Sequence, residues 1–530
     1  MAPNHPAPIP AVPRHRWRIP ALTWLLLVIA GGALALWPEM ERNIRSWLLL
    51  ALLALGALLT LAWFALLSGF SSRRRIAFTA GLVGLALATY LLVRVDGTIS
   101  AVGFPRLVWR WTKSTPPQLA ATPPASSPAE VTAELPDAPQ FLGANRDGVV
   151  HGVKLARNWQ LHPPRLLWRR PVGAGWSAFA VSAGRAYTHE QRGDDEVLTC
   201  YAALTGKPLW TLAHPAHFTQ WQGGEGPRAT PTVDRGLIFA YGATGILECA
   251  EAATGRRVWS RAVLGDYAIR NLEWGVSASP LVFDETVVVS GGANRGPTLL
   301  AFRRNTGELL WQAGTDRASY SSPTLTTLAG RRVILSLNAG TLTAHDPGSG
   351  AVLMDYAWSE EKIPKAAQPV VLPGNRVFLS AGYGTGCVML QIGAGPAPGL
   401  TATLLWKNLR MKNQFNTVAA REGFLYGLDD GMLACVNATT GERQWKEGRY
   451  GSGQTLLVDD LVIIQSEEGP VVLAAAGPDQ PRELGRLDAL TSKTWNHPTL
   501  AGRLLLVRND REAVAYELPL APETPAEKSR

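Results

Sequence analysis

The stretches LTCYAALTGKPLW (198–210), LECAEAATGRRVW (247–259), LLAFRRNTGELLW (299–311) and LACVNATTGERQW (433–445) are copies of one unit, and LTAHDPGSGAVLM (342–354) is a degenerate fifth. In each full copy a Gly stands four residues before the closing Trp. The alternating apolar residues before Thr-Gly read as a strand. Thr-Gly reads as a tight turn whose Gly takes positive φ, and the run into Trp as a second, outer strand. A Trp at a fixed place on every outer strand can pack between neighbouring sheets.

Two further strand candidates precede each unit, as in ATPTVDRGLIFAYG (229–242) and SASPLVFDETVVVSGG (277–292). Four strands recurring every 39–52 residues predict the blades of a β-propeller. Outer strands at Trp210, Trp259, Trp311, Met354, Trp406, Trp445 and Leu487 mark seven blades. Strand candidates then remain at 497–500, 503–507 and 513–518, with one Trp-bearing orphan at 166–170. Together they complete an eighth blade and close the ring, which removes the open sheet edge that invites aggregation. The expected fold is therefore an all-β, eight-bladed propeller over 137–519.

The 52 Gly, 38 Pro and 19 Trp among 530 residues suit many tight turns between short strands with aromatic anchors. The formal charge of +9 belongs to the first 113 residues, which hold 12 Lys/Arg against 3 Asp/Glu. The rest of the chain is neutral, so the basic footprint of a nucleic-acid binder is missing. Cys200, Cys249, Cys387 and Cys435 form no CxxC or Cys/His spacing. Three of them share one repeat position, and buried reduced thiols are expected.

Three charge-free apolar runs, 21–37, 47–67 and 76–93, each approach the roughly 20 residues needed to cross a bilayer. Trp17, Trp24, Trp37, Trp47 and Tyr90 lie near their ends, where amphipathic rings prefer the interface. Arg14, Arg16 and Arg18 before the first run and Arg73–Arg75 before the third place the N-terminus in the cytoplasm. Arg94, Arg106, Arg110 and Lys113 run the other way. An odd number of spans puts the propeller outside, in the periplasm of a Gram-negative cell. Residues 1–113 thus read as an inner-membrane anchor, 114–136 as a Pro/Ala-rich linker and 520–530 as a disordered tail.

In a blade of strands A to D, the B–C turns and the D–A connections emerge on one face, the default surface for a ligand or partner. Its D–A segments are aromatic and polar. Expected binding residues there are Trp176, Gln191, Arg192, Arg228, Glu273, Trp274, Tyr320, Asn413, Tyr450, Trp495, Asn496 and Arg508. The competing reading is that the rings plug the channel mouth while the polar groups satisfy turn backbones. Glu190, Glu225, Asp266, Glu273, Asp316 and Asp429 sit in no spacing that demands a metal or paired acid–base work, so no catalytic or metal-binding residue is expected.

The unit A-x-T-G-x-x-x-W resembles the tryptophan-docking repeat of the pyrroloquinoline-quinone-like propeller superfamily, over 166–518. That superfamily includes quinoprotein alcohol and membrane glucose dehydrogenases and the outer-membrane β-barrel assembly lipoprotein, which keeps the fold without the cofactor. GPRATPTV (226–233), GATGIL (242–247) and QFLGANRDGVV (140–150) look more specifically like uncharacterised bacterial proteins with this domain. The resemblance implies a fold rather than an activity. For the alcohol dehydrogenases it implies a vicinal Cys-Cys ring, a Ca²⁺ held by Glu and Asn, and an Asp base; no two cysteines are adjacent here, and no CxxCH offers an electron exit. The expected function is a non-enzymatic binding or scaffolding module of the cell envelope, taking a protein or small ligand and no cofactor. The alternative is a dehydrogenase of alcohols or sugars that uses pyrroloquinoline quinone with Ca²⁺ and feeds the membrane quinone pool.

Overall fold

A computed structural model describes residues 17–37, 40–112 and 135–522. Arg14, Arg16, Lys113, the linker up to residue 134 and the tail beyond 522 lie outside the described residues. The chain divides into two compact units, Met1–Ser114 and Thr115–Arg530.

In the first unit three helices are long and apolar enough to cross a membrane: α1 (Arg18–Leu36), α2 (Arg42–Leu66) and α3 (Ser72–Leu92). Each begins three to five residues before its apolar run, because backbone hydrogen bonding continues through polar first turns. A two-stranded antiparallel hairpin of Val93–Thr98 and Pro105–Trp109, unexpected from the sequence, is joined directly to α3.

The second unit is the eight-bladed propeller, each blade a four-stranded antiparallel sheet. Blades 1 to 7 span 180–215, 232–262, 281–313, 324–357, 370–408, 419–447 and 454–487. Blade 8 takes strands A to C from 499–517 and strand D, Arg165–Pro171, from the other end of the domain. Its register runs from Glu512↔Pro171 to Glu517↔Arg165. In blade 1 the B–C turn is tight, since its strands reach Arg192 and resume at Asp195.

The repeated Trp and Gly meet across the seams between blades. Trp168, Trp210, Trp259, Trp311 and Trp406 lie against Gly206, Gly255, Gly307, Gly350 and Gly441 of the following blade, all at positive φ. A Cβ on any of these glycines would come within 2.5 to 2.8 Å of the indole, so only Gly satisfies both the turn and the packing. Each indole N–H also donates to a carbonyl of the next blade: Trp168 to Ala203, Trp210 to Ala252, Trp259 to Arg304, Trp311 to Pro347, Trp406 to Ala438 and Trp445 to Gly477, at 2.8–3.3 Å.

Two seams differ. Met354 takes the Trp register in blade 4, opposite Ala344. In blade 7 the equivalent residue is Gly485, opposite Leu473, rather than the Leu487 that marked the strand in the sequence. Trp159, 4% exposed, fills that place from outside the repeat, with its side chain against the Gly485 backbone.

Residues 136–150 fill the central channel. Pro136 and Asp137 enter beside the A–B turns of blades 8 and 1: Pro136 lies against Gly502, and the Asp137 carboxylate accepts from Ser182 Oγ and the Ala183 amide. Ala138 bridges Val181 in strand A of blade 1, and the Pro139 carbonyl accepts from Val233 in strand A of blade 2. The segment turns at the far end, where Phe141 reaches His497 of blade 8 (ring centroids 5.7 Å apart) and Arg146 donates to the carbonyls of Ser279 and Pro280 at the start of blade 3. It returns as Val149–Val150, parallel to Leu457 and Val458 of blade 7. One short segment can touch the innermost strands of opposite blades only from inside the ring.

Candidate functional site

The D–A face carries an arc of aromatic rings. Trp176 enters it just before blade 1, with its Nε1–H donating to the Gly223 carbonyl (2.5 Å). Trp495 sits 4.8 Å from Trp176 and 5.2 Å from Phe415, and donates its Nε1–H to Glu467 (2.9 Å). The Lys493 ammonium lies 4.3 Å from the Trp495 ring centre and 5.3 Å from that of Trp176, a double cation–π arrangement. On the other side of Gly223, Trp274 and Tyr320 pair at 5.6 Å, and the Trp274 amide donates to the Tyr320 hydroxyl. Burial pushes the Tyr320 hydroxyl up to about 12. The ribbon of Thr219–Gln220 and Gly224–Glu225 joins the two groups of rings, with Trp221 exposed on it.

The polar residues expected on this face divide by burial. Arg508 is 1% exposed and donates to Thr188 Oγ1 and to the carbonyls of His189, Gly173 and Gly175, binding blade 8 to blade 1. Asn496 donates to the carbonyls of Gly175 and Ser177, Asn413 to Asn416 and the Leu428 carbonyl, and Gln191 to the carbonyls of Gly193 and Ala216. Arg192 donates to Glu190, Thr199 and Tyr201. Tyr450 packs in the core between blades 6 and 7. These six groups serve the ring. Arg228 is half-buried over Phe218 (4.5 Å) and donates to the carbonyls of Gly223, Gly224 and Gly226; burial lowers it to about 10. Glu273 is exposed. The structure therefore brings Trp176, Arg228, Trp274, Tyr320 and Trp495 together on one surface. Phe415 and Glu467 are not singled out by the sequence, because only the fold places them against Trp495.

Beneath this arc, between blades 1 and 2, lies a buried ionic group. His214 faces Glu196 (3.5 Å) and Glu248 (3.1 Å), and Arg257 pairs with Glu248 at 2.7 Å. Burial opposes protonation of His214, but hydrogen bonds to the two carboxylates outweigh it and raise its pKa to about 9. Asp429 of blade 6 is likewise enclosed by Lys412 (2.9 Å), Lys446 (2.7 Å) and Arg443 (3.5 Å).

A quinone cofactor with Ca²⁺ would need a flat cavity in the channel and a carboxylate beside an Asn with free oxygens. These residues do not fit it. Residues 136–150 occupy the channel, and a cavity beside them, lined by Phe141, Phe179, Leu456 and His497 among others, is about 10 Å³, barely the room of one water. Asp429, next to the Leu428 carbonyl that Asn413 and Asn416 share, is already held by its three cations. Among the described residues no group of three His, Cys, Asp or Glu side chains is placed to hold a metal ion.

Fold and face together define a closed propeller whose channel is filled and whose aromatic surface lies at the rim. A family model described as "Outer membrane protein assembly factor BamB" (PQQ_2) matches residues 159–263 and 193–447, and the chain belongs to that family. The assembly factor BamB of Burkholderia pseudomallei is 24% identical over 299 residues, covering 54% of this chain and 72% of that protein. The crystal structure of BamB from Moraxella catarrhalis superposes with a TM-score of 0.50 at 14% identity, over 67% of this chain and 100% of that one. A quinohemoprotein alcohol dehydrogenase from Pseudomonas putida reaches a TM-score of 0.45 at 13% identity, over 74% of this chain and 82% of that one.

Proposed function

We propose that this chain is a membrane-anchored binding and scaffolding propeller of a bacterial cell envelope, whose D–A face docks a segment of another envelope protein. Residues 1–113 anchor it in the cytoplasmic membrane with the N-terminus inside. The linker after the anchor is the tether and residues 137–519 are the extracytoplasmic propeller, to which Leu520 and Ala521 are still joined through Leu155 and Lys154. The observation that carries this reading is the filled channel. With residues 136–150 inside the ring, the D–A face offers a shallow arc of stacking faces with Lys493 and Arg228, rather than an enclosed pocket for a small substrate. Such a surface suits a peptide with aromatic or acidic side chains. Membership of a family described by outer-membrane protein assembly supports a protein partner. Pro136 and Asp137 lie beside the A–B turns, at the end of the ring opposite the aromatic face.

Photo-crosslinking in living cells tests this. A benzophenone amino acid at Trp274 or Trp495 is expected to give a discrete adduct with an envelope protein, while one at Leu310 on an outer strand gives none. Adducts only from Leu310, or dye reduction by the purified chain that depends on pyrroloquinoline quinone and Ca²⁺, would overturn the proposal.

A further inference from the structure

We propose that the hairpin joined to α3 is an interfacial element that lies in the headgroup region of the bilayer with one apolar face turned into lipid. The inference rests on the reading that the three helices span a membrane, and goes beyond it by assigning a surface those helices do not include. The hairpin has no spacer to carry it away from the helix, since α3 ends at Leu92 and the first strand begins at Val93. Its two ends are pinned to two different helices. At one end the Arg110 amide donates to the Leu92 carbonyl (2.8 Å), and its guanidinium donates to the Tyr90 carbonyl. At the other, Trp47 near the start of α2 donates its Nε1–H to the Val102 carbonyl (2.8 Å) and packs, tilted, against Phe104 with ring centres 5.5 Å apart. The start of α2 and the end of α3 share one side of a three-helix bundle with short loops. A hairpin fixed to both therefore lies across the helix ends instead of standing off them.

Its chemistry suits that place. The pairs Val93↔Trp109 and Val95↔Leu107 put four apolar side chains on one face of the ribbon. Val95 is 54% exposed, Leu107 61% and Trp109 52%, and Trp111, 64% exposed, stacks on Trp109 with ring centres 5.1 Å apart. Such a patch in water at the mouth of a membrane domain is costly, whereas indoles and aliphatic side chains are stable at the boundary of headgroups and acyl chains. Around the patch stand Arg94, Arg106 and Arg110, with Asp96 paired to Arg106, an excess of positive charge that complements anionic headgroups. Those arginines read against the orientation rule as loop charges; as interfacial side chains they need no such reading.

A fluorescence depth measurement tests the inference. Cys200, Cys249, Cys387 and Cys435 are all buried, so a polarity-sensitive thiol dye can be placed selectively at Leu107→Cys, at Val95→Cys as a second site, and at Leu53→Cys in the middle of α2. The full-length chain is reconstituted in vesicles of phosphatidylcholine and phosphatidylglycerol carrying shallow or deep nitroxide lipids. The expected result is blue-shifted emission at Leu107 and Val95 that shallow nitroxides quench more strongly than deep ones, with the reverse order at Leu53. Deep quenching at Leu53 with solvent-like emission at both hairpin sites would overturn the inference and leave the anchor standing. Blue-shifted hairpin emission that no nitroxide quenches would overturn it in favour of a protein partner. Absence of quenching at Leu53 would remove the anchor and this inference together.

Discussion

Six of the eight blade seams are closed by an indole from the blade's own outer strand, and two, those between blades 4 and 5 and between 7 and 8, are not. The exceptions share a cause on the far side of the seam. Blade 5 lacks the tight Gly turn, because its C and D strands extend into a long hairpin, Gly386–Ala394 and Leu400–Asn408. Blade 8 has no C–D turn at all, since those two strands come from opposite ends of the domain. At five of the six indole seams the Trp is thus one half of a pair whose other half is a positive-φ glycine turn in the next blade; at the sixth, between blades 6 and 7, Trp445 keeps its hydrogen bond to the Gly477 carbonyl without a glycine packed against the ring. At the seam between blades 7 and 8 the indole is not lost but relocated, to Trp159.

Truncating the indoles separates the two kinds of seam. Trp210→Ala removes a buried indole and its hydrogen bond, and is expected to cost about 3–5 kcal/mol in chemical denaturation. A cost below about 1 kcal/mol would mean the regular seams do not depend on the indole. Trp159→Ala should cost roughly 1 kcal/mol less, because its indole N–H finds no acceptor and one hydrogen bond is worth about that much. Equal losses at the two sites would show that packing against glycine is the whole effect.

The seam between blades 1 and 2 adds titratable chemistry to the same strand, since Trp210 and His214 both lie on Pro208–Pro215. The folded-state pKa of His214, about 9, stands above its ordinary value of 6.5. Its contribution is therefore fully present below pH 6.5 and is lost as pH rises through 9. On the order of 2–3 kcal/mol should disappear across that window. Denaturation at pH 6, 7.5 and 9 checks it, and His214→Gln should flatten that part of the profile. The smallest effect belongs to the rim: Lys493→Ala is expected to cost about 0.5 kcal/mol of stability, measured by the same denaturation, while weakening crosslinks to Trp495.

The ring and its blade count were legible in the sequence because each blade repeats a local pattern with a period. Even the closing strand 165–171 was readable, since it carried the same Trp without a blade of its own. The hidden parts have no period. QFLGANRDGVV was recognisable as a stretch, but its position in the channel depends on strands from blades 1, 2, 3, 7 and 8 that are far away in sequence. Trp159 gave no signal because its partner, Gly485, looks like an ordinary strand glycine. Strand counting puts Trp176, Trp274, Tyr320 and Trp495 on one face, where they form the two ring pairs, whereas Tyr450, expected with them, turns into the core between blades 6 and 7. Which polar neighbours were tied into the ring, as Arg508 and Asn413 are, required knowing the carbonyls they meet.

The filled channel and borrowed strand impose a timetable. Within the propeller, residues 136–171 leave the ribosome first, yet Arg165 meets Glu517 only across 352 residues of chain. At roughly 5–20 residues per second, that is a wait of about 20–70 s, during which Val149–Val150 and Arg165–Pro171 have no sheet to join. The beginning of the domain is therefore the last part to find its place, and the ring cannot shut until the final strand has been made and has closed around the segment it already holds.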